Sequence, residues 1–96
     1  MNEIKDITMK RIKGLLEAFI GGERSITPNH IIGQMKSAVV KRGIITAKEC
    51  QKIIEEIEES IKTNKLYPTV PKNEKLERLK AVMDELQKAD WWQKCM

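Results

Sequence analysis

Residues 45–62 read ITAKECQKIIEEIEESIK, and no other stretch of this chain leaves less freedom of fold. Thr46 precedes Glu49 by three residues, the capping-box spacing at which a hydroxyl and a carboxylate each bond the other residue's backbone N–H. Ile45 and Cys50 stand at the two hydrophobic-staple positions around that start. At about 100° per residue, Cys50, Ile53, Ile54, Ile57 and Ile61 share an arc of roughly 100°, with Glu55, Glu56, Glu58 and Glu59 outside it. A helix with one narrow apolar stripe must lay that stripe against other elements. No segment shows the apolar–polar alternation of a half-buried strand, so those elements are helices and the fold is all-α.

Three further helices supply the partners. The first runs from about Glu3 to Ile20, with Ile4, Ile12, Leu15, Leu16 and Phe19 on one face and Gly21-Gly22 as a left-handed stop. In ITPNHII, Thr27 is the N-cap of the second, Pro28 takes its first position, and Ile26 and Ile31 form a staple. Ile31, Ile32, Met35, Ala38 and Val39 make its stripe, and Lys41-Arg42-Gly43 closes it. The third helix frays near Thr63-Asn64, because Pro68 and Pro71 in LYPTVPKN remove donors and force extended geometry. The fourth starts at Asn73 as cap and keeps a seam of Leu76, Leu79, Met83 and Leu86, with Glu74/Arg78 and Asp84/Lys88 as i,i+4 ion pairs. The expectation is one domain over 1–96: a small bundle of four amphipathic helices (about 3–20, 28–42, 46–63 and 73–89), a connector over 64–72 and a tail over 90–96.

Composition places that bundle among stable globular domains. With 41% apolar and 33% charged residues the chain has enough apolar side chains to fold without disulfides or metal. The charged N-terminus lacks the apolar core of a secretory signal, and no segment approaches a membrane span, so a cytoplasmic location is expected. Two cysteines make no framework for a small secreted fold. Fourteen lysines against four arginines, with thirteen isoleucines, suggest an AT-rich genome such as that of a Firmicute or a phage.

Catalysis and metal binding need reactive side chains that converge, and this chain has one histidine and two cysteines. His30 falls off the apolar stripe at a helix start, Cys50 lies on a core stripe, and Cys95 adjoins the C-terminus, where it invites an adventitious dimer. The four glutamates spread round the outside of one helix, and Gly21-Gly22 lacks the Lys-Ser/Thr of a phosphate-binding loop. No catalytic residue, metal site or cofactor is expected. A helix-turn-helix reading of residues 35–54 fails in detail. Val39 and Glu49 occupy the positions where the two helices would touch, and the recognition helix would be acidic. The PTVP tetrapeptide is a linker.

What is left is binding. Half of the four aromatic residues are Trp91 and Trp92, beside the C-terminus and off the core line of a straight fourth helix. Either the helix ends near Ala89 and the tail folds back so that one indole closes the bundle, or the indoles meet another chain; one of each also satisfies the pattern. The leading expectation is therefore a non-enzymatic regulatory protein, of the kind phages and mobile elements carry. It forms a homodimer and binds a protein partner, with Trp91, Trp92, Leu79, Met83 and Leu86 as the candidate anchors. The alternative is nucleic-acid binding through Lys10, Arg11, Lys13, Lys36, Lys41 and Arg42, if the first two helices present these cations on one surface.

Overall fold

The computed structural model describes residues 3–96 as an all-α bundle with no strand among them. Helix α1 spans Glu3–Ile20, α2 Pro28–Lys36, α3 Ala47–Lys62, α4 Lys72–Lys88 and α5 Asp90–Cys95, and a π-helical turn, Ser37–Lys41, extends α2. None of the helices is long and apolar enough to cross a membrane. The four long helices alternate in direction. Lys5 of α1 pairs with Glu49 at the start of α3, and Arg78 of α4 donates to the Ile20 carbonyl at the end of α1. Helices α1 and α4 form the central contact, each packing on both α2 and α3. One pole of the bundle thus gathers the start of α1, the end of α2, the start of α3 and the α4–α5 junction; the other gathers the connector and the Gly21-Gly22 corner.

The local signals at the starts of α2 and α3 are realised. Thr27 Oγ1 accepts from the His30 N–H at 3.2 Å. Thr46 and Glu49 form the full capping box: Thr46 Oγ1 accepts from Glu49 N–H at 3.1 Å, and Glu49 Oε1 accepts from Thr46 N–H at 2.9 Å. The α3 stripe of Cys50, Ile53, Ile54, Ile57 and Ile61 is fully buried. Burial pushes the Cys50 thiol up to about 12, so it is an inert apolar side chain at neutral pH.

The Lys5 ammonium and the Thr46 bonds also hold the Glu49 carboxyl below its usual range. A depressed carboxylate contributes stability that is present above its unfolded pKa and lost as pH falls through its folded one. Thermal midpoints measured from pH 6 to pH 2 are therefore expected to fall, and Glu49→Gln is expected to flatten part of that fall. An unchanged profile in the variant would remove Glu49 from the account.

Helix ends depart from the sequence expectation in instructive ways. At the end of α1, Glu23 N–H reaches Ala18 O and Gly22 N–H reaches Phe19 O, a Schellman closure with Gly22 at φ 107°. Gly21 is glycine for a different reason: a Cβ there would stand 2.6 Å from the Tyr67 ring. Helix α3 does not fray. Lys65 N–H bonds Ser60 O and Asn64 N–H bonds Ile61 O, with Asn64 left-handed at φ 58°, so asparagine replaces glycine in a second Schellman closure. Helix α2 leaves α geometry after Lys36: Arg42 N–H reaches back to Ser37 O and Ile44 N–H to Ala38 O, wider spans that open the last turn. Asn73 is not a cap, because α4 begins at Lys72 after Pro71. Proline fixes its own φ in the required range and its carbonyl accepts from Lys75 N–H.

Two stripes are rotated from the expected ones. In α1 the buried residues are Ile12, Leu16 and Ile20, Leu15 and Phe19 pack at the margin, and Ile4 is 62% exposed. In α4 the buried line is Lys75, Leu79, Val82 and Leu86, a turn of about 50° from the seam that contained Leu76 and Met83, both now half-buried. The cause is Lys75, which is completely buried. Its ammonium donates to Leu66 O at 2.7 Å, Tyr67 O at 2.9 Å and Asn64 Oδ1 at 3.0 Å, one oxygen for each proton. Lys72, one turn earlier, donates to Lys62 O at 2.9 Å. Together with Arg78 on Ile20 O at 2.7 Å, these cations satisfy carbonyls at the ends of α3 and α1 and in the connector, where the helix dipoles are negative. Of the two expected ion pairs, Glu74–Arg78 forms at 3.7 Å, whereas Lys88 turns to Glu85 at 3.6 Å rather than to Asp84.

Candidate protein-interaction groove

Helix α4 stops at Lys88, Ala89 is extended at φ −80° and ψ 120°, and the chain turns into α5. The junction is held by Ala89 N–H on Leu86 O and by Gln93 Nε2 donating to Gln87 O at 2.7 Å. This bend separates the fates of the two tryptophans. Trp92 enters the core and is 3% exposed, while Trp91 stays half-buried at its edge. Their rings meet edge to face, centroids 5.7 Å apart at 85°, the preferred geometry for an aromatic pair. The buried ring thus fixes the orientation of the accessible one.

Trp91 forms one wall of a groove of about 580 Å³ between the end of α2 and α5, completed by Lys36, Val40, Ala89, Asp90 and Lys94. The π turn keeps Ala38 in the core and leaves Val40 49% exposed on the rim. Two ammonium groups against one carboxylate make the groove cationic, and Trp91, Val40 and Ala89 give it apolar surface. It lies at the pole that also carries Ile4, Ile7 and Met96. Four of the five exposed large apolar side chains among the described residues therefore belong to that pole, and Tyr67 alone to the other.

The expected anchor set is divided by this arrangement. Leu79 and Leu86 are 1% and 2% exposed, and with Trp92 they are core residues rather than surface anchors. The buried part of the α4 seam faces α1, α2 and α3. Met83 is half-buried against the core, and Trp91 alone of the five lines the groove. Three of the six candidate cations line two different depressions. Lys10 and Lys13 line a second depression between α1 and α3 with Asp6 and Glu56, Lys36 lines the Trp91 groove, and Arg11, Lys41 and Arg42 are exposed. Val40, Ala89 and Lys94 were not singled out by sequence reasoning, although Val40 stands about 180° from Ile31 on a helical wheel, which is itself the signal of an outward valine.

Among the described residues no group of three or more His, Cys, Asp and Glu side chains is placed to hold a metal ion. His30 and Cys95 are exposed, and the glutamates of α3 stay outside its buried stripe. Comparison with protein-family models, with curated proteins and with solved structures finds no match to this chain.

Proposed function

We propose that this protein is a small non-enzymatic regulatory module that binds a segment of a partner protein in the Trp91 groove. The observation that carries the reading is Trp91 itself: a large indole, accessible on one side and held rigid on the other by the buried Trp92 ring. Tryptophan in such a setting offers contact area at little cost in side-chain entropy and is enriched at binding hot spots. Val40 adds apolar surface at the rim, and Lys36 and Lys94 line the same groove. The matching ligand is an amphipathic helix with an aliphatic or aromatic anchor and Asp or Glu beside it. Activity is occupancy: the bundle covers that segment and withholds it from other contacts. The lysine- and isoleucine-rich residue usage suits a regulator encoded by a phage or mobile element.

Selection of binders from a displayed library of random amphipathic helices tests this. The recovered peptides are expected to share an apolar i,i+3/i+4 pair flanked by acids. Trp91→Ala is expected to weaken them by about 2 kcal/mol or more, roughly thirtyfold, while the far-ultraviolet circular dichroism stays unchanged. Binders without acids, or binders indifferent to Trp91→Ala, would defeat the proposal.

Nucleic-acid binding is the second reading, favoured by one feature: Trp91 between Lys36 and Lys94 is also a stacking platform with phosphate contacts beside it. It requires affinity for random single strands or duplex that falls by orders of magnitude between about 50 and 200 mM salt. The dispersal of Lys10, Lys13 and Lys36 over two depressions, one of them shared with Asp6 and Glu56, weighs for the protein partner.

A further inference from the structure

Helix α1 has two apolar arcs, and the bundle uses only one. Ile12, Leu16 and Ile20 face the core. On the opposite side Ile4, Ile7, Arg11, Gly14 and Ala18 follow one another at spacings of three and four, the a/d rhythm of a helix-pairing seam. Ile4 and Ile7 are 62% and 56% exposed, and a Cβ at Gly14 would meet nothing, so among the described residues none covers the Ile4–Gly14 part of this face. Its charges are ordered along the axis. Glu3 stands at the N-terminal end and Lys10 and Arg11 two turns later, and among the described residues none of the three is in an ion pair.

We infer that this face pairs with the same face of a second copy of the chain, antiparallel and centred on Ile7. Charge order selects the arrangement. A parallel pair sets Glu3 on Glu3 and Arg11 on Arg11, whereas an antiparallel pair about Ile7 brings each Glu3 to Lys10 and Arg11 of the other copy. The two-fold axis then runs beside Ile7, which meets Ile7 of the second copy, and each Ile4 lies on the aliphatic stems of Lys10 and Arg11. Contact over residues 3–11 is about 13 Å long, far short of a standard interface, so the dimer is reversible, with Kd in the range of about 10 µM to 1 mM. The surface lies on α1, none of whose residues lines the Trp91 groove, and it stands or falls independently of the groove's function.

Sedimentation equilibrium from about 10 µM to 1 mM protein, in a Cys95→Ser background, tests it. The parent is expected to dimerise, and Ile7→Asp to raise Kd about tenfold or more with unchanged circular dichroism, since Ile7 is exposed. Glu3→Lys and the pair Lys10→Glu with Arg11→Glu are each expected to weaken the dimer, and the triple change to restore it. Ile7→Cys is expected to give a disulfide-linked dimer on mild oxidation, while Lys52→Cys on α3 is not. A chain that stays monomeric throughout, or a dimer broken by Trp91→Ala and indifferent to Ile7→Asp, overturns the inference. So does failure of the charge reversal to restore association.

Discussion

Replacing Lys75 by methionine is expected to lower the stability of this protein by about 3 kcal/mol, a large share of the 5–15 kcal/mol that holds a domain of this size. Methionine keeps most of the stem volume, so the loss comes from the ammonium. Leu66 O, Tyr67 O and Asn64 Oδ1 converge on it within 3.0 Å, and among the described residues it makes no ion pair. Removing a buried charge saves its desolvation, and where a whole ion pair is exchanged for apolar groups that saving often wins. Here only the donor leaves. Three oxygens stay behind, two of them on backbone that has nowhere else to turn, and the penalty for stranding them dominates.

Tyr67 makes the cost larger still. It is a bulky residue at φ 47°, immediately before Pro68, in a conformation that persists only while its surroundings impose it. Lys75 on the Tyr67 carbonyl and the ring against Gly21 are those surroundings. In the variant, amides over residues 64–70 are expected to exchange with solvent well ahead of those in α3. Lys75→Arg is expected to fail as a substitute, because a planar guanidinium does not match three oxygens arranged round one nitrogen. A denaturant midpoint within error of the parent would mean that the connector is held by its prolines and by Tyr67 packing alone.

Trp92→Ala carries the second large effect, a loss of about 3–5 kcal/mol, against about 1 kcal/mol or less for Trp91→Ala. The two differ because the extended Ala89 turns α5 so that one ring enters the buried core and the other rests on its rim. Without the Trp92 anchor, α5 is left with the half-buried Trp91, Gln93 on Gln87 O and a few backbone bonds to hold six residues, and it is expected to loosen. Fluorescence of the two single-tryptophan proteins separates the roles. With Trp91→Phe the remaining indole should emit to the blue and resist iodide quenching; with Trp92→Phe it should emit to the red and quench readily. Equal quenching of both would contradict the division.

Where the chain carries its own punctuation, the fold was legible. Thr27, and Thr46 with Glu49, mark the starts of α2 and α3 by bonds spanning three residues, and the isoleucines of α3 define its buried face without ambiguity. Rotation of α1 and α4 about their own axes was not legible, because each has apolar residues over a wide arc. Tertiary contacts, the Lys5–Glu49 pair and the Lys75 anchorage, choose which part of that arc turns inward. A lysine on a seam reads as solvated in sequence, and only the connector's carbonyls explain its burial. Of the candidate site, the tryptophan pair was visible from its position. Its split into one core ring and one groove ring depends on the bend at Ala89, and the contribution of Val40 and Lys36 depends on α2 ending beside α5.

The claim that the Trp91 groove is the working surface is tested most directly by a photo-reactive benzoylphenylalanine at position 40, an exposed place on the groove's rim that leaves Trp91 intact. It is to be challenged with an acidic amphipathic peptide selected on the parent protein, beside the same residue at Glu55 on the outer face of α3. Cross-linking from position 40 that is abolished by Lys36→Glu with Lys94→Glu, and none from position 55, is the predicted result. Equal cross-linking from both positions, or peptide capture that survives the charge reversal, would contradict it.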